Sequence, residues 1–226
     1  MTDRPLALIT GASRGIGAAV AAALADTHDL LLGGRDEAAL SAVAADLPSA
    51  RPWPVDLTDY DALAASLADI ERLDVLVHSA GISRLGAVAD VTPADWRDSY
   101  ELNVVAVAEL TRLLLPALRA ASGHVVLVNS GSGLNPNPKW GPYAASKFAL
   151  RAFADVLRAE EPTLRVTSIH PGRTATDMQR QVRAFEGGPF EPDNYMNPAS
   201  VAALIKSAID TPPDAHVHQV IIRQRP

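Results

Sequence analysis

Short runs of apolar residues alternate along this chain with longer Ala- and Leu-rich stretches whose apolar positions recur every three to four residues. The runs at 6–10 (LALIT), 29–34 (DLLLGG), 53–55 (WPV), 74–80 (DVLVHSA), 124–129 (HVVLVN), 165–169 (RVTSI) and 219–223 (QVIIR) read as strands. The stretches near 15–26, 36–46, 59–71, 94–121, 142–161 and 198–210 read as helices. Strands that are apolar throughout, rather than on alternate positions, are covered on both faces, and helices between them make the sheet parallel. The pattern therefore predicts an α/β fold: one doubly wound parallel sheet of about seven strands with helices on both faces. A ligand site belongs at the carboxyl ends of the strands, near the point where strand order reverses.

Composition narrows the function. The chain has 226 residues, enough for a single well-buried domain spanning 1–226. A net charge of -6 argues against binding nucleic-acid backbone. With no cysteine, disulfides, thiol catalysis and zinc–thiolate sites are excluded. The start, Met-Thr-Asp-Arg-Pro, lacks leader-peptide features, and no apolar run is long enough to span a bilayer. A cytoplasmic protein with no membrane partner is the expectation. The least regular stretch, 173–197, holds Gly187-Gly188-Pro189 and scattered aromatics, and reads as a short substrate flap beside a strand end.

The segment TGASRGIG (10–17) follows the first strand and opens the first helix. Gly11 suits a turn that a side chain would block, Gly15 lets backbone approach a pyrophosphate, and Gly17 lets helix pack on sheet. This is a Rossmann-type arrangement, although the spacing Gly-x-x-x-Gly-x-Gly differs from the commonest dinucleotide fingerprint. The second strand ends in Gly33-Gly34-Arg35, where many such folds place an acid for the ribose 2′-hydroxyl. Arg35 and Arg14 suit a 2′-phosphate through forked, charge-assisted hydrogen bonds, so NADP(H) is the preferred cofactor. NAD(H) stays open, because Asp36 can turn inward to a ribose. Asp56, after the third strand, is placed for the adenine edge or for a local turn.

GPYAASKFAL (141–150) starts a helix and puts Tyr143 and Lys147 on one face. Around them Ala144, Ala145, Phe148 and Ala149 read as buried. A phenol is a poor base at neutral pH, and an adjacent ammonium favours its ionised form. The pair is suited to passing a proton.

Taken together, TGASRGIG, VDLTD (55–59), HSAG (78–81), Asn103 in ELNVV, Ser130 in VNSGSG, YAASK (143–147) and HPGRTATDM (170–178) resemble the short-chain dehydrogenase/reductase family in its ordinary, non-extended form. The resemblance implies hydride transfer between a nicotinamide and a carbonyl or secondary alcohol, with Tyr143 as acid/base. It further implies that Lys147 binds the nicotinamide ribose, that Ser130 orients the reacting oxygen, and that Asn103 holds a water linking Lys147 to solvent. Cofactor contacts are implied for Ser13, Ile16, Leu57, Ser79, Ala80, Gly81, Pro171, Gly172, Thr174 and Thr176. His78-Ser79 stands where the family usually has two asparagines, a departure bearing on cofactor affinity rather than on the reaction.

Ser132 rivals Ser130, since an extended segment would turn both to one side. The spacing to Tyr143 in the family favours Ser130, leaving Ser132, Trp140 and Met178 as pocket lining. Ile82, Ser83, Leu134, Phe185, Phe190 and Tyr195 are further wall candidates, implying a mainly apolar or aromatic carbonyl substrate. Arg180 and Arg183 are candidates for an acidic group. His216 and His218 alternate on one face without a third ligand, so no metal site is expected. By resemblance, the helices at 94–121 and 142–161 pair between subunits, giving a homodimer or homotetramer. The competing reading is a catalytically silent NADP(H)-binding regulatory protein of the same fold.

Overall fold

The structure is a computed structural model describing residues 4–225; the first three residues and Pro226, with their part in the leader and domain readings, lie outside it. Seven parallel strands form one sheet in the order β3-β2-β1-β4-β5-β6-β7. They are β1 (Leu6–Thr10), β2 (Asp29–Gly34), β3 (Ala50–Pro54), β4 (Val75–His78), β5 (His124–Val128), β6 (Arg165–Pro171) and β7 (Gln219–Ile222). Among the described residues, eight α-helices connect them: α1 (Gly15–Leu24), α2 (Glu37–Ala45), α3 (Tyr60–Ser66), α4 (Pro93–Tyr100), α5 (Ala106–Ala121), α6 (Gly141–Glu160), α7 (Asp177–Phe185) and α8 (Pro198–Ile209).

Side chains along the strands alternate between two cores. Ala7, Ile9, Leu30, Leu32, Val75 and Val77 meet α1, α2 and α8, through residues such as Val20, Leu40 and Ile205. Leu8, Leu31, Leu76, Val125 and Leu127 meet α3, α5 and α6, through Leu63, Leu110, Leu114, Leu150 and Leu157. Both sets are apolar, which is why these strands carry no polar alternation.

Helix starts follow capping chemistry. Asp36, Asp59, Thr92, Thr176 and Asn197 each accept a backbone N–H in the first turn of α2, α3, α4, α7 and α8. Thr92 and Asp95 form a reciprocal capping box with Pro93 at the helix start.

Several boundaries differ from the sequence pattern. The stretch 94–121 is not one regular helix: a π-helical turn, Glu101–Val105, interrupts it and centres on the buried Asn103. The third strand is Ala50–Pro54 rather than 53–55, because it pairs with β2 from Leu30↔Ala50 onward. The fourth strand stops at His78, leaving Ser79–Gly81 as loop, and the third helix ends at Ser66. Phe148 is 39% exposed, not buried, because it points away from the sheet while Tyr143, Lys147 and Leu150 face it. The 173–197 stretch contains α7 and a 3₁₀ turn at Pro192–Asn194, and its two ends are tied by a bridge between Thr174 and Met196. Gly187, at φ +74°, follows the end of α7, so it acts as a helix stop.

Candidate active site

Strand order reverses between β1 and β4, and a cleft of about 810 Å³ opens there along the carboxyl edge of the sheet. It is lined by the glycine loop (Gly11, Ser13, Arg14, Gly15, Ile16, Gly17), by Arg35, and by Asp56 and Leu57. Ser79, Ala80 and Gly81 after β4, Ser130 and Ser132 after β5, Trp140, Tyr143 and Lys147 on α6, and Pro171, Gly172, Thr174, Thr176 and Met178 after β6 complete it. Of the catalytic candidates, Asn103 is absent from the wall and bonds the wall residue Ile82 from behind.

The glycine loop is built for close approach. Gly11 has φ +65°, and a Cβ there would come within 2.9 Å of Ala80 backbone. A Cβ on Gly17 would come within 2.2 Å of the Gly11 carbonyl, so helix and turn touch only because both are glycine. Thr10 Oγ1 ties this turn to the next strand by accepting from the Ser79 and Ala80 N–H groups, each at 3.1 Å. Backbone donors at the start of α1, beside a cradle that side chains would fill, fit a dinucleotide pyrophosphate.

At the adenosine end, Arg35 lines the cleft without a carboxylate partner among the described residues. Arg14 instead forms an ion pair with Asp177 of α7 at 3.5 Å, so the two arginines do not act as one preformed clamp. Asp36 caps α2 by accepting from Ala39 N–H and is not among the residues that line the cleft. Asp56 accepts from both the N–H and the hydroxyl of Thr58, bonds that hold its carboxyl below the usual range, and it also faces the cleft.

At the other end, Tyr143 and Lys147 are both buried, with the ammonium 5.9 Å from the phenol ring centre. Lys147 Nζ donates to the Val128 carbonyl at 3.1 Å, and burial pulls its pKa down to about 8. Burial pushes the Tyr143 phenol above its ordinary value, opposed by a hydrogen bond with Ser130. Desolvation thus sets the direction in the chain by itself, before any positive charge from a nicotinamide is added.

Ser130 has extended backbone (φ −160°, ψ 157°), and the chain then closes into a 3₁₀ turn, Gly131–Gly133. The two serines therefore do not lie on one extended segment: Ser130 is the Tyr143 partner, and Ser132 N–H donates to Ser130 Oγ at 3.1 Å. Trp140 meets the Tyr143 ring edge-on at 5.8 Å.

Asn103 is fully buried. Its Oδ1 accepts from Ile82 N–H, and its Nδ2 donates to the Ile82 carbonyl and to Ser146 Oγ, each at 3.0 Å. Ser146 in turn donates to the Tyr143 carbonyl at 2.8 Å. Both amide hydrogens are engaged with protein, so the side chain braces the loop after β4 against α6.

Sequence reasoning missed three further supports. Thr10 is described above. Asn129 accepts from Ser130 N–H and donates to the Lys147 carbonyl at 3.1 Å, joining the end of β5 to α6. Ser146 is the third. Each is a small polar residue at the end of an apolar run or inside a buried helix face, which is the signal that would have found it.

Other candidates lie elsewhere. Leu134 does not line the cleft, and Phe185 lines a separate small pocket with Val91 and Lys139. Phe190 and Tyr195 stack on each other at 5.5 Å, and Arg180 lies over Phe190 at 4.4 Å. Arg183 bonds Glu186 and the Pro189 carbonyl. The flap aromatics therefore satisfy one another, and the substrate end is more polar than expected: Asn135, Asn137, Gln181, Arg223 and Gln224 join its wall. His78 is buried, bonds Thr111 Oγ1 at 2.9 Å, and is driven down to about 3 chiefly by burial, so it is a neutral structural group. His216 bonds the Val166 backbone near the opposite, amino-terminal end of β6. Among the described residues, no three His, Cys, Asp or Glu converge on a metal position.

Comparison with known proteins decides the family. The family model of the short chain dehydrogenases matches residues 5–187. The chain belongs to the short-chain dehydrogenase/reductase family. It is 33% identical over 220 residues to an uncharacterized short-chain type dehydrogenase/reductase of Sinorhizobium fredii, covering 94% of this chain and 88% of that one. An uncharacterized oxidoreductase of Staphylococcus epidermidis is 30% identical, with 96% of each chain covered. Among solved structures, an alcohol dehydrogenase of the archaeon Thermococcus sibiricus complexed with 5-hydroxy-NADP superposes with a TM-score of 0.89 at 26% identity, covering 99% of both chains. A metagenomic short-chain oxidoreductase in complex with NADP gives 0.83 at 29% identity, covering 98% and 97%. As a member of this family the protein is an oxidoreductase using a nicotinamide cofactor.

Proposed function

We propose that the protein is an NADP(H)-dependent carbonyl reductase, equally a secondary-alcohol dehydrogenase in reverse, with Tyr143 as its acid/base. The observation that carries this is one cleft joining a glycine turn and an unpaired Arg35 at one end to Tyr143, Lys147 and Ser130 at the other. When bound, the nicotinamide supplies a hydride to the carbonyl carbon or accepts one from the alcohol.

The chain's own residues handle the proton. With its phenol held high by burial, Tyr143 is protonated at neutral pH and donates O–H to the carbonyl oxygen as the carbon receives hydride. In the alcohol-to-ketone direction it takes that proton back. Ser130, whose hydroxyl lowers the phenol's pKa, holds the reacting oxygen in line with it. Lys147 presents an ammonium on the same helix face, favouring the phenolate once the proton has left. Its position suits ribose hydroxyls as well. Asn103 positions the loop that carries Gly81, where a Cβ would lie 3.0 Å from Asn103 Oδ1 and 3.7 Å from Lys147 Nζ.

Arg35 supports NADP(H) over NAD(H), because a guanidinium with no carboxylate partner matches a 2′-phosphate and Asp36 is turned away. Residues 1–226 act as one cofactor-binding and catalytic domain, with 173–197 as the flap. Among the described residues no helix is long and apolar enough to cross a membrane, which accords with a cytoplasmic setting. Val105 (43% exposed) in the π turn before α5, with Phe148 and Val156 (52%) on the outer side of α6, favour pairing with a second copy.

The test is NADPH and NADH oxidation by purified protein over ketones, aldehydes, quinones and keto acids, with light scattering for assembly. Turnover with NADPH in preference to NADH is expected. Tight NADPH binding with no turnover on any carbonyl would overturn the reading in favour of a silent binding protein.

A further inference from the structure

The cleft is far more cationic than its protein. A chain of net charge -6 lines it with Arg14, Arg35, Arg84, Arg173, Arg223 and Lys147, against only Asp56 and Asp177. Three of these six cations are already paired with carboxylates. Arg14 pairs with Asp177 at 3.5 Å, Arg84 with Asp98 at 2.9 Å, and Arg173 with Glu186 in a two-pronged bond. Lys147 is buried against a carbonyl. Of the five arginines, only Arg35 and Arg223 lack a carboxylate within salt-bridge distance among the described residues.

The cofactor cannot account for both. Arg35 follows β2 and Arg223 follows β7, five strand spacings apart, or about 24 Å at ~4.8 Å per strand. A group at the β2 end that engages Arg35 does not reach Arg223. The glycine turn after β1 is four spacings away, about 19 Å, so the pyrophosphate does not reach it either.

Arg223 is held in place. Its Nη1 donates to the His170 carbonyl at 2.7 Å and to the Ile222 carbonyl at 2.9 Å, which turns the side chain back across β6. The free edge of the guanidinium then lies over Gly131: a Cβ there would be 3.0 Å from Nη2. Gly131 directly follows Ser130, and glycine is what lets the cation come so close to the catalytic serine's backbone. His170 is fully buried between them, donates Nδ1–H to the Ser130 carbonyl at 3.0 Å, and leaves Nε2 without a partner. The β5 and β6 ends and Arg223 thus form one braced unit on the cleft wall, with Nη2 beside Gly131 and making no bond to the described protein.

We propose that Arg223 is a substrate-specificity residue that binds a carboxylate on the carbonyl substrate, so that the preferred substrates are keto acids. This inference rests on the reductase reading of the cleft. A guanidinium fork offers a carboxylate charge-assisted hydrogen bonds that an ester carbonyl receives far more weakly. The flap arginines Arg180 and Arg183 do not serve, being engaged with Phe190, Glu186 and Pro189.

The experiment compares 2-, 3- and 4-keto acids with their methyl esters, matching size while removing the charge and varying the reach. Two readouts are taken: kcat/KM with NADPH, and calorimetric binding of the same compounds to protein saturated with NADP+, where no turnover occurs. At least one acid is expected to exceed its ester by about tenfold in both, the low end of what a hydrogen bond to a charged group contributes. In Arg223→Gln the acid-to-ester ratio falls to within about threefold of unity, through KM and Kd rather than kcat, and Arg223→Lys restores part of it. Esters matching or exceeding acids at every chain length in the unmodified protein would overturn the proposal, whether or not the variants fold. So would an equal loss on acids and esters in Arg223→Gln. Ester turnover without acid preference removes this inference and leaves the reductase; acid-selective binding without any turnover removes the reductase and leaves the carboxylate site.

Discussion

Replacing Asn103 with Ala removes three hydrogen bonds made by one fully buried side chain: two to the Ile82 backbone and one to Ser146. At about 1 kcal/mol net per bond the loss is about 3 kcal/mol. Ile82 is only half-buried, so water can recover part of its share, and about 2 to 3 kcal/mol remains. For a domain of this size that lowers the midpoint of thermal unfolding by about 5 to 9 °C. Function falls with it, because the same bonds join the Gly81 loop to the helix bearing Tyr143 and Lys147. A misplacement there costs about 10- to 100-fold in kcat/KM. Thermal and urea unfolding followed by circular dichroism, with kinetics on the same preparations, give both quantities. A stability loss under about 0.5 kcal/mol, the level of an ordinary surface change, would refute the brace.

Other expectations follow from single groups. Lys147 has a folded pKa near 8 against an unfolded value near 10.4, so unfolding takes up a proton between those values and its contribution makes stability rise with pH there. Unfolding free energy of the cofactor-free protein, minus that of Lys147→Met, is expected to increase from pH 8 to 9.5; a flat difference contradicts the burial argument. His78 is neutral in the fold down to about pH 3, so stability falls as pH drops below about 6.5, where the unfolded imidazole protonates. His78→Asn is expected to flatten the acid limb of a pH–stability curve, and an unchanged slope would assign that limb to other groups. Arg35→Ala is expected to cut the NADPH/NADH ratio of kcat/KM by about tenfold or more, and Arg14→Ala by less, since Arg14 already has Asp177. Equal effects in a kinetic comparison would show that Arg14 leaves its partner for the cofactor.

Much of the fold was legible because its signals are local and redundant. Apolar runs and the helix start at GPYAASKFAL each act within a few residues. The cleft was legible for the same reason: a glycine turn and a Tyr–Lys pair at helical spacing are short-range patterns. What was not legible depends on tertiary partners. No side-chain preference marks the π turn at Glu101–Val105; its buried Asn103 gains meaning only from Ile82 and Ser146. Phe148 resembles its buried neighbours in type, and only the helix's rotation on the sheet exposes it. Phe190 and Tyr195 faced two destinations, the cleft or each other, and the tie between Thr174 and Met196 accompanies the second. Nothing in the run QVIIR singles out Arg223; its role depends on the His170 carbonyl that β6 places beside it.

The central claim is that Tyr143 transfers the proton, and its direct test is Tyr143→Phe, which keeps the ring packed against Trp140 and removes one oxygen. On the best carbonyl substrate with NADPH, kcat/KM is expected to fall by about 100- to 10,000-fold. NADPH affinity measured by fluorescence is expected to stay within about threefold, because the phenol oxygen's loss leaves the glycine loop and Arg35 untouched. A variant that keeps a tenth or more of the turnover while binding NADPH normally would contradict the account.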